Sequence, residues 1–379
     1  MQSGPTNSLG DVRGLRVGHA TLAGDGWLTG VTVVLAPPSG ATGGVDVRGG
    51  GPGTRETDLL GPLNQVDRVD AVVLSGGSAY GLASAHGVMT RLAELHRGLQ
   101  VGPEPSHVVP IVPAAILFDL GRGGAFGNYP GPDAGAAAFD AALSDGVGAG
   151  AAGAGTVGAG TVGAGAVGAG AVGAGTGALA GQLKGGIGSA SEVLAGAGGA
   201  DSGVTVAALA AVNAVGSVAD HRTGVLYGAQ FGLPGEFDWL MPPSPAELRA
   251  GAAVLDPRTR SSPQSRGGPR PLNTTIGVVA TDASLTKAQC AKLAGVAQDG
   301  LARAVRPAHS MFDGDTIFAL ATGSGPAASP LEFHAILSAA ADCFSRAVVH
   351  AVLAASSVTT PAGRWSGYLD LFPSADGRR

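Results

Sequence analysis

Asn273-Thr274-Thr275 opens a strand-like run, Thr274-Thr-Ile-Gly-Val-Val-Ala-Thr281-Asp282, directly after a connector rich in Pro, Ser, Arg and Gly. A threonine placed there gains chemistry if the chain is cut before it. A free N-terminal threonine carries its own base, because the α-amine lies within reach of the hydroxyl and can take its proton as the oxygen attacks a carbonyl. Asn273 suits such a cut, since its side-chain amide can hydrogen-bond the strained peptide. The plainer alternative is an Asn-Thr turn leading into a strand.

Two other segments compete. Gly76-Gly-Ser78-Ala-Tyr80 lies where a strand turns into a helix, as in a serine-hydrolase elbow, but that elbow needs glycine where Tyr80 stands. Ser78 therefore remains a rival nucleophile, and the same turn could lend backbone amides to a neighbouring site. Arg48-Gly-Gly-Gly-Pro-Gly-Thr-Arg55 offers backbone N–H groups between two guanidinium groups, the makings of an anion cradle. It lacks the Lys-Ser/Thr of a phosphate loop, so the choice is between a tight structural loop and a non-catalytic, anion-binding protein. The eight histidines (19, 86, 96, 107, 221, 309, 334, 350) never fall at HExxH or HxxxH spacing and read as surface or capping residues, so no metal or other cofactor is expected.

Composition narrows the setting. Of 379 residues 66 are glycine, yet glycine does not recur at every third position, which excludes collagen. With 45% hydrophobic residues and a net charge of −5, the chain is unlike disordered sequences and offers nucleic acid or an anionic membrane no electrostatic attraction. The N-terminus lacks a secretory pattern. The nearest approach to a membrane span, Val204 to Ala219, is too short and is broken by Asn213 and Ser217. Two cysteines without a CxxC motif fit a reducing cytoplasm.

The elements that must hold any site follow from the pattern. Strands are expected within 13–37, and a buried strand from Asp70 turns through glycine into a helix ending near His96. Val108 to Asp119 and Gly203 to Gly216 read as strands. Residues 285–304 and 330–355 read as helices, flanking a strand at Thr316 to Thr322. Residues 157–176 repeat Val-Gly-Ala-Gly-Thr/Ala with a period of five, within a low-complexity stretch at 150–177 expected to be a flexible loop. Residues 240–272 read as an exposed connector.

Several segments together resemble the self-processing L-aminopeptidase/D-esterase family, which includes β-peptidyl aminopeptidases, a pantetheine hydrolase and nylon-oligomer hydrolases. They are Val45-Asp-Val-Arg-Gly-Gly-Gly-Pro-Gly-Thr-Arg-Glu-Thr, Leu74-Ser-Gly-Gly-Ser-Ala-Tyr-Gly-Leu, Val172-Gly-Ala-Gly-Thr-Gly-Ala with Leu183-Lys-Gly-Gly-Ile-Gly-Ser-Ala-Ser, Ala211-Val-Asn-Ala-Val-Gly, Asn273-Thr-Thr-Ile-Gly-Val-Val-Ala-Thr-Asp, and Met311-Phe-Asp-Gly-Asp-Thr-Ile-Phe-Ala. They run in family order from about residue 10 to 355.

The resemblance implies an α+β fold, a four-layer αββα sandwich formed by one hydrolase domain over 1–379. It also implies autocleavage between Asn273 and Thr274 into chains 1–273 and 274–379 that stay associated, as a homotetramer or larger. Thr274 becomes the nucleophile and Asn213 the oxyanion donor. Lys184 sits near the nucleophile and tunes it, while Asp313 and Asp315 orient the α-amine or the hydroxyl. Ser78, Tyr80 and Phe118 are the candidates for contacting a small peptide or amide substrate. Phe118 stands where the aminopeptidase branch has a tyrosine. Thr274 with Asp313 departs from the serines common in that branch, and looks more like the pantetheine and nylon-oligomer branches.

Overall fold

The structure is a computed structural model and describes residues 2–144, 167–195, 203–255, 273–323 and 328–379. Its central strands are apolar without alternation. Thr205–Ala211, Ile276–Thr281 and Thr316–Ala321 are buried at every position. A strand of that kind needs cover on both faces, and two stacked sheets with helices outside supply it.

Numbering only the strands of the two large sheets, the chain forms β1 (Arg16–Gly24), β2 (Trp27–Leu35), β3 (Ala41–Val47), β4 (Thr54–Arg55), β5 (Arg68–Val69), β6 (Ala71–Ser75), β7 (Ala114–Ile116), β8 (Ile187–Val193), β9 (Thr205–Ala211), β10 (Ile276–Thr281) and β11 (Thr316–Ala321). One sheet has the order β1-β2-β6-β7-β4 and the other β8-β9-β10-β11-β3-β5. All neighbours run antiparallel except β6 with β7 and β10 with β11.

Side chains sort by the two-residue period of a strand. Ala207, Leu209, Val278, Ala280, Phe318 and Leu320 of the larger sheet meet Val34, Val72 and Leu74 of the smaller one in the inter-sheet core. On the opposite face Val206, Ala208, Val279, Ile317 and Ala319 pack under helices α4 (Lys287–Ala304) and α5 (Pro330–Leu353). Val31, Val33, Leu35 and Val73 pack under α1 (Ser84–Glu94) and α2 (Pro132–Leu143). The expected αββα layering is therefore observed.

Three sequence expectations need correction. The connector at 240–272 is not wholly irregular, since Pro245–Leu255 is a helix. Its start carried a signal, because Ser244 and Glu247 exchange the bonds of a capping box: Ser244 N–H donates to Glu247 Oε2 and Glu247 N–H to Ser244 Oγ. Residues 256–272 lie outside the described residues, as do 145–166 of the repeat region. The last repeat unit is an ordered part of the core. Gly170 bridges to Ile187, and Gly173–Gly175 form a buried 3-10 turn whose amides bond Thr21 and Thr32. Finally, among the described residues α5 rather than Val204 to Ala219 is the segment apolar and long enough to cross a membrane by length and composition. It is mostly buried, packing against β8, β9 and α4.

A buried ion cluster pins α5. Arg346, 0% exposed, donates to both oxygens of Glu236 (2.6 and 3.0 Å), to Ser191 O and to Asn7 Oδ1, while His350 also binds Glu236. Burial pushes the Glu236 carboxyl up, but the bonds from His350 and Arg346 override it and hold it well below the usual range. Removing the cation strands the carboxylate, so Arg346→Ala should cost about 3–5 kcal/mol. Urea denaturation checks this, and an unshifted midpoint would refute it.

Candidate active site

Strand register alone assembles the centre. β10 lies between β9 and β11, with Ile276 opposite both Ala211 and Thr316. Stepping back two residues from Ile276 sets Thr274 level with Asn213 on one side and Gly314 on the other. The hydrogen bonds agree. Thr274 N–H donates to Asn213 O at 2.6 Å, and Thr274 Oγ1 donates to Asn273 O at 2.5 Å. A Cβ on Gly314 would come within 2.8 Å of Thr274 Oγ1 and 2.6 Å of Gly51 O, so only glycine leaves the hydroxyl its room. Thr274 itself is only 3% exposed.

The carboxylates stand one residue away from Thr274. Asp315 Oδ1 accepts from Thr275 N–H at 2.9 Å, and its Oδ2 accepts from the backbone of His309 and faces His309 Nδ1 at 3.0 Å. Asp313 accepts from Val215 N–H and from Ser310 Oγ. Burial, followed by the neighbouring Asp315, pushes the Asp313 carboxyl up. Among the described residues neither carboxylate bonds the Thr274 hydroxyl or amide. Both brace the turn that carries Gly314. The glycine-rich segment after Arg48 backs this turn: the amides of Arg48, Gly49, Gly50 and Gly51 donate to the carbonyls of Asp315, Asp315, Ser310 and Asp313. Its donors are occupied, so the segment is a structural loop rather than an anion cradle.

Asn213 is fully buried. Its Oδ1 accepts from Arg122 Nη1 (2.6 Å) and Leu179 N–H (2.9 Å), and its Nδ2 donates to Phe118 O (3.1 Å). The two acceptor bonds fix which end of the amide points where. Lys184 is likewise 0% exposed, and Nζ donates to the carbonyls of Gly175, Ala178 and Gly185 at 3.0, 2.9 and 2.6 Å. Lys184 makes no hydrogen bond to Thr274 among the described residues. It supports the 175–179 segment, whose Leu179 amide in turn holds Asn213.

Burial, then Arg122, lowers the Lys184 ammonium to about 7, while Asp119 works the other way. The sign of the consequence is definite. Between pH 7 and the ordinary lysine range the unfolded chain binds more protons than the folded one, so stability rises with pH there. Urea midpoints should climb from pH 7 to 9, and Lys184→Met should flatten the climb. Parallel curves for the two proteins would refute it.

Sequence reasoning missed three residues. Arg122 spans the site: Nη1 binds Asn213 Oδ1 and Gly177 O, and Nη2 binds Asn273 Oδ1 at 3.2 Å. Asp119 accepts from Gly77 N–H at 2.7 Å, and burial pushes its carboxyl up to about 6. His309 has a left-handed backbone, φ +57°, that turns its ring onto Asp315. Asp119 was within view as the residue after Phe118, whereas Arg122 and His309 carried no local signal.

Of the remaining candidates only Phe118 is bonded to a residue of this centre among the described residues. Ser78 has φ +51° and its N–H donates to Leu117 O, but its hydroxyl meets no base among the described residues. Tyr80 is 55% exposed and stacks on Tyr129 with ring centroids 4.5 Å apart. Phe118 is half-buried and supplies its carbonyl to Asn213.

The four-layer sandwich thus sets a threonine at the head of a central strand, between an asparagine and a carboxylate-braced turn. The model of peptidase family S58 matches residues 7–366, and the chain belongs to that family of peptide-bond hydrolases. An uncharacterized aminopeptidase of Mycobacterium leprae is 47% identical over 395 residues, covering 100% of this chain and 97% of its own. A 6-aminohexanoate-oligomer endohydrolase of a Kocuria species is 27% identical over 299 residues, 78% of this chain and 69% of its own. Among solved structures, a Burkholderia β-aminopeptidase superimposes with a TM-score of 0.64 at 23% identity, covering 99% of this chain and 95% of its own. The L-aminopeptidase D-Ala-esterase/amidase of Ochrobactrum anthropi, described as a variant of the Ntn hydrolase fold, gives 0.65 at 22%, with 97% and 92% covered.

Proposed function

We propose that the chain cuts itself between Asn273 and Thr274 and then works as an N-terminal-threonine aminopeptidase or amidase on small peptides or amides. One observation carries the reading: the Thr274 hydroxyl lies 2.5 Å from the carbonyl oxygen of the peptide to be cut, while Asn213 O holds the amide of the same residue.

In maturation the Thr274 oxygen adds to the Asn273 carbonyl carbon. The C–O bond forms, the C–N bond breaks and the hydroxyl proton passes to nitrogen, leaving an ester and a free α-amine. Water then hydrolyses the ester to the Asn273 carboxylate and the Thr274 hydroxyl. In turnover the α-amine, held by Asn213 O, takes the hydroxyl proton as oxygen attacks the substrate carbonyl and hands it to the leaving amine. Water releases the acyl group. Asn213 Nδ2 keeps one N–H on Phe118 O and offers its second to the oxyanion, and Lys184, when protonated, adds positive charge behind the 175–179 segment.

The two cysteines, free and buried, need no oxidising compartment, which supports a cytoplasmic setting. Association into a homotetramer or larger is part of the same reading. Denaturing mass spectrometry of fresh and aged protein tests the maturation step. Two fragments meeting at Asn273–Thr274 are expected, and a full-length mass that never changes would refute it.

A further inference from the structure

We propose that the cradle now holding the Asn273 side chain is the subsite for the acyl group, and that it selects acyl units bearing a carboxamide, with Arg122 as the specificity-determining residue. The inference deepens the proposed maturation and rests on it.

The chemistry of the two steps sets the argument. Self-cleavage and turnover each bring an acyl carbonyl against the same oxygen, Thr274 Oγ1. In the first the acyl group is Asn273, so its side chain occupies the space that a substrate's first side chain must later fill. That space has definite polarity. Asn273 Oδ1 accepts from Arg122 Nη2 at 3.2 Å, and Asn273 Nδ2 donates to Ala214 O at 2.6 Å. Asn273 is 2% exposed. A donor and an acceptor so placed match the two ends of an amide. Leucine has nearly the shape of asparagine but would forfeit both bonds, the one from Arg122 Nη2 and the one to Ala214 O. Aspartate would satisfy Arg122 and set a carboxylate oxygen against the Ala214 carbonyl.

Arg122 cannot swing away cheaply. Its other nitrogen is bonded to Gly177 O and Asn213 Oδ1, and its own carbonyl accepts from Thr360 Oγ1 at 2.6 Å. The guanidinium therefore measures the acyl side chain against the residue assigned to the oxyanion.

The test uses the mature wild-type enzyme with the p-nitroanilides of asparagine, aspartate, leucine and alanine, after its mass has been recorded. The asparaginyl compound should lead its leucyl isostere by at least about tenfold in kcat/KM, because the isostere forfeits two buried hydrogen bonds, one of them from a charged donor. Arg122→Met should close most of that gap through KM for the asparaginyl substrate. If that variant fails to mature, the wild-type comparison alone decides. A chain that splits but treats asparaginyl and leucyl substrates alike, or turns over neither, overturns the subsite. An unsplit chain overturns the maturation on which it rests.

Discussion

Thr274→Ala should yield a single chain of the full 36.7 kDa that neither splits nor hydrolyses any amide. The substitution removes the attacking oxygen of both steps and withholds the α-amine that only cleavage creates. Losing the nucleophile and its base together should lower turnover to background, a drop of about 10⁶ where such groups act as a unit. Thr274→Ser is the control, since it keeps an oxygen at the same bond distance and should still split. Intact mass gives the first reading and release of p-nitroaniline the second. An alanine variant that still hydrolyses amides would move the chemistry elsewhere, to Ser78 first of all.

The second large effect is expected at Asn213. If Nδ2 binds the developing oxyanion, Asn213→Ala should lower kcat by roughly 10²–10³ with much less change in KM. The variant also takes its partner from Leu179 N–H and removes one of the two bonds of Arg122 Nη1, so it should lose about 1–3 kcal/mol of stability as well. The two effects separate under saturating substrate well below the unfolding temperature. A loss under about fivefold in kcat would assign Asn213 to structure alone, which is below the cost of removing one oxyanion donor.

Many of the strands and helices are readable along the chain, because local rules and global packing agree there, while their αββα layering is implied by the family resemblance. The short run Ala71–Ser75, the glycine turn and the helix behind it appear as expected, with only the intervening 3-10 turn unforeseen. Thr274 stands out at the head of a clean apolar strand, whereas Asn213 and the Asp313 loop come into view only through the family resemblance. The links between them were not. Arg122 reaches Asn213 and Asn273 from positions 91 and 151 residues away, and nothing in a glycine-rich loop announces such a reach. The repeat misled for another reason: its final unit has the same composition as its predecessors, yet the amides of Gly173 and Ala174 find Thr21 and Thr32 on the first two strands. Composition reports chain entropy, whereas burial depends on which partner happens to lie across the sheet.

The position of the proposed cut has a consequence for refolding. β10 and β11 lie after Thr274, yet in the sheet they stand between β9 and β3, which both lie before it. A cut molecule is thus a large fragment with a gap in its central sheet, closed by two strands and two helices of a small one. Before cleavage these parts find each other as one tethered polymer. After it, unfolding releases two solutes, and reassembly becomes a bimolecular encounter. The midpoint of reversible unfolding should therefore rise with protein concentration for cut chains and stay constant for Thr274→Ala. Such a maturation would exchange a protein that can refold alone for one whose recovery depends on dilution.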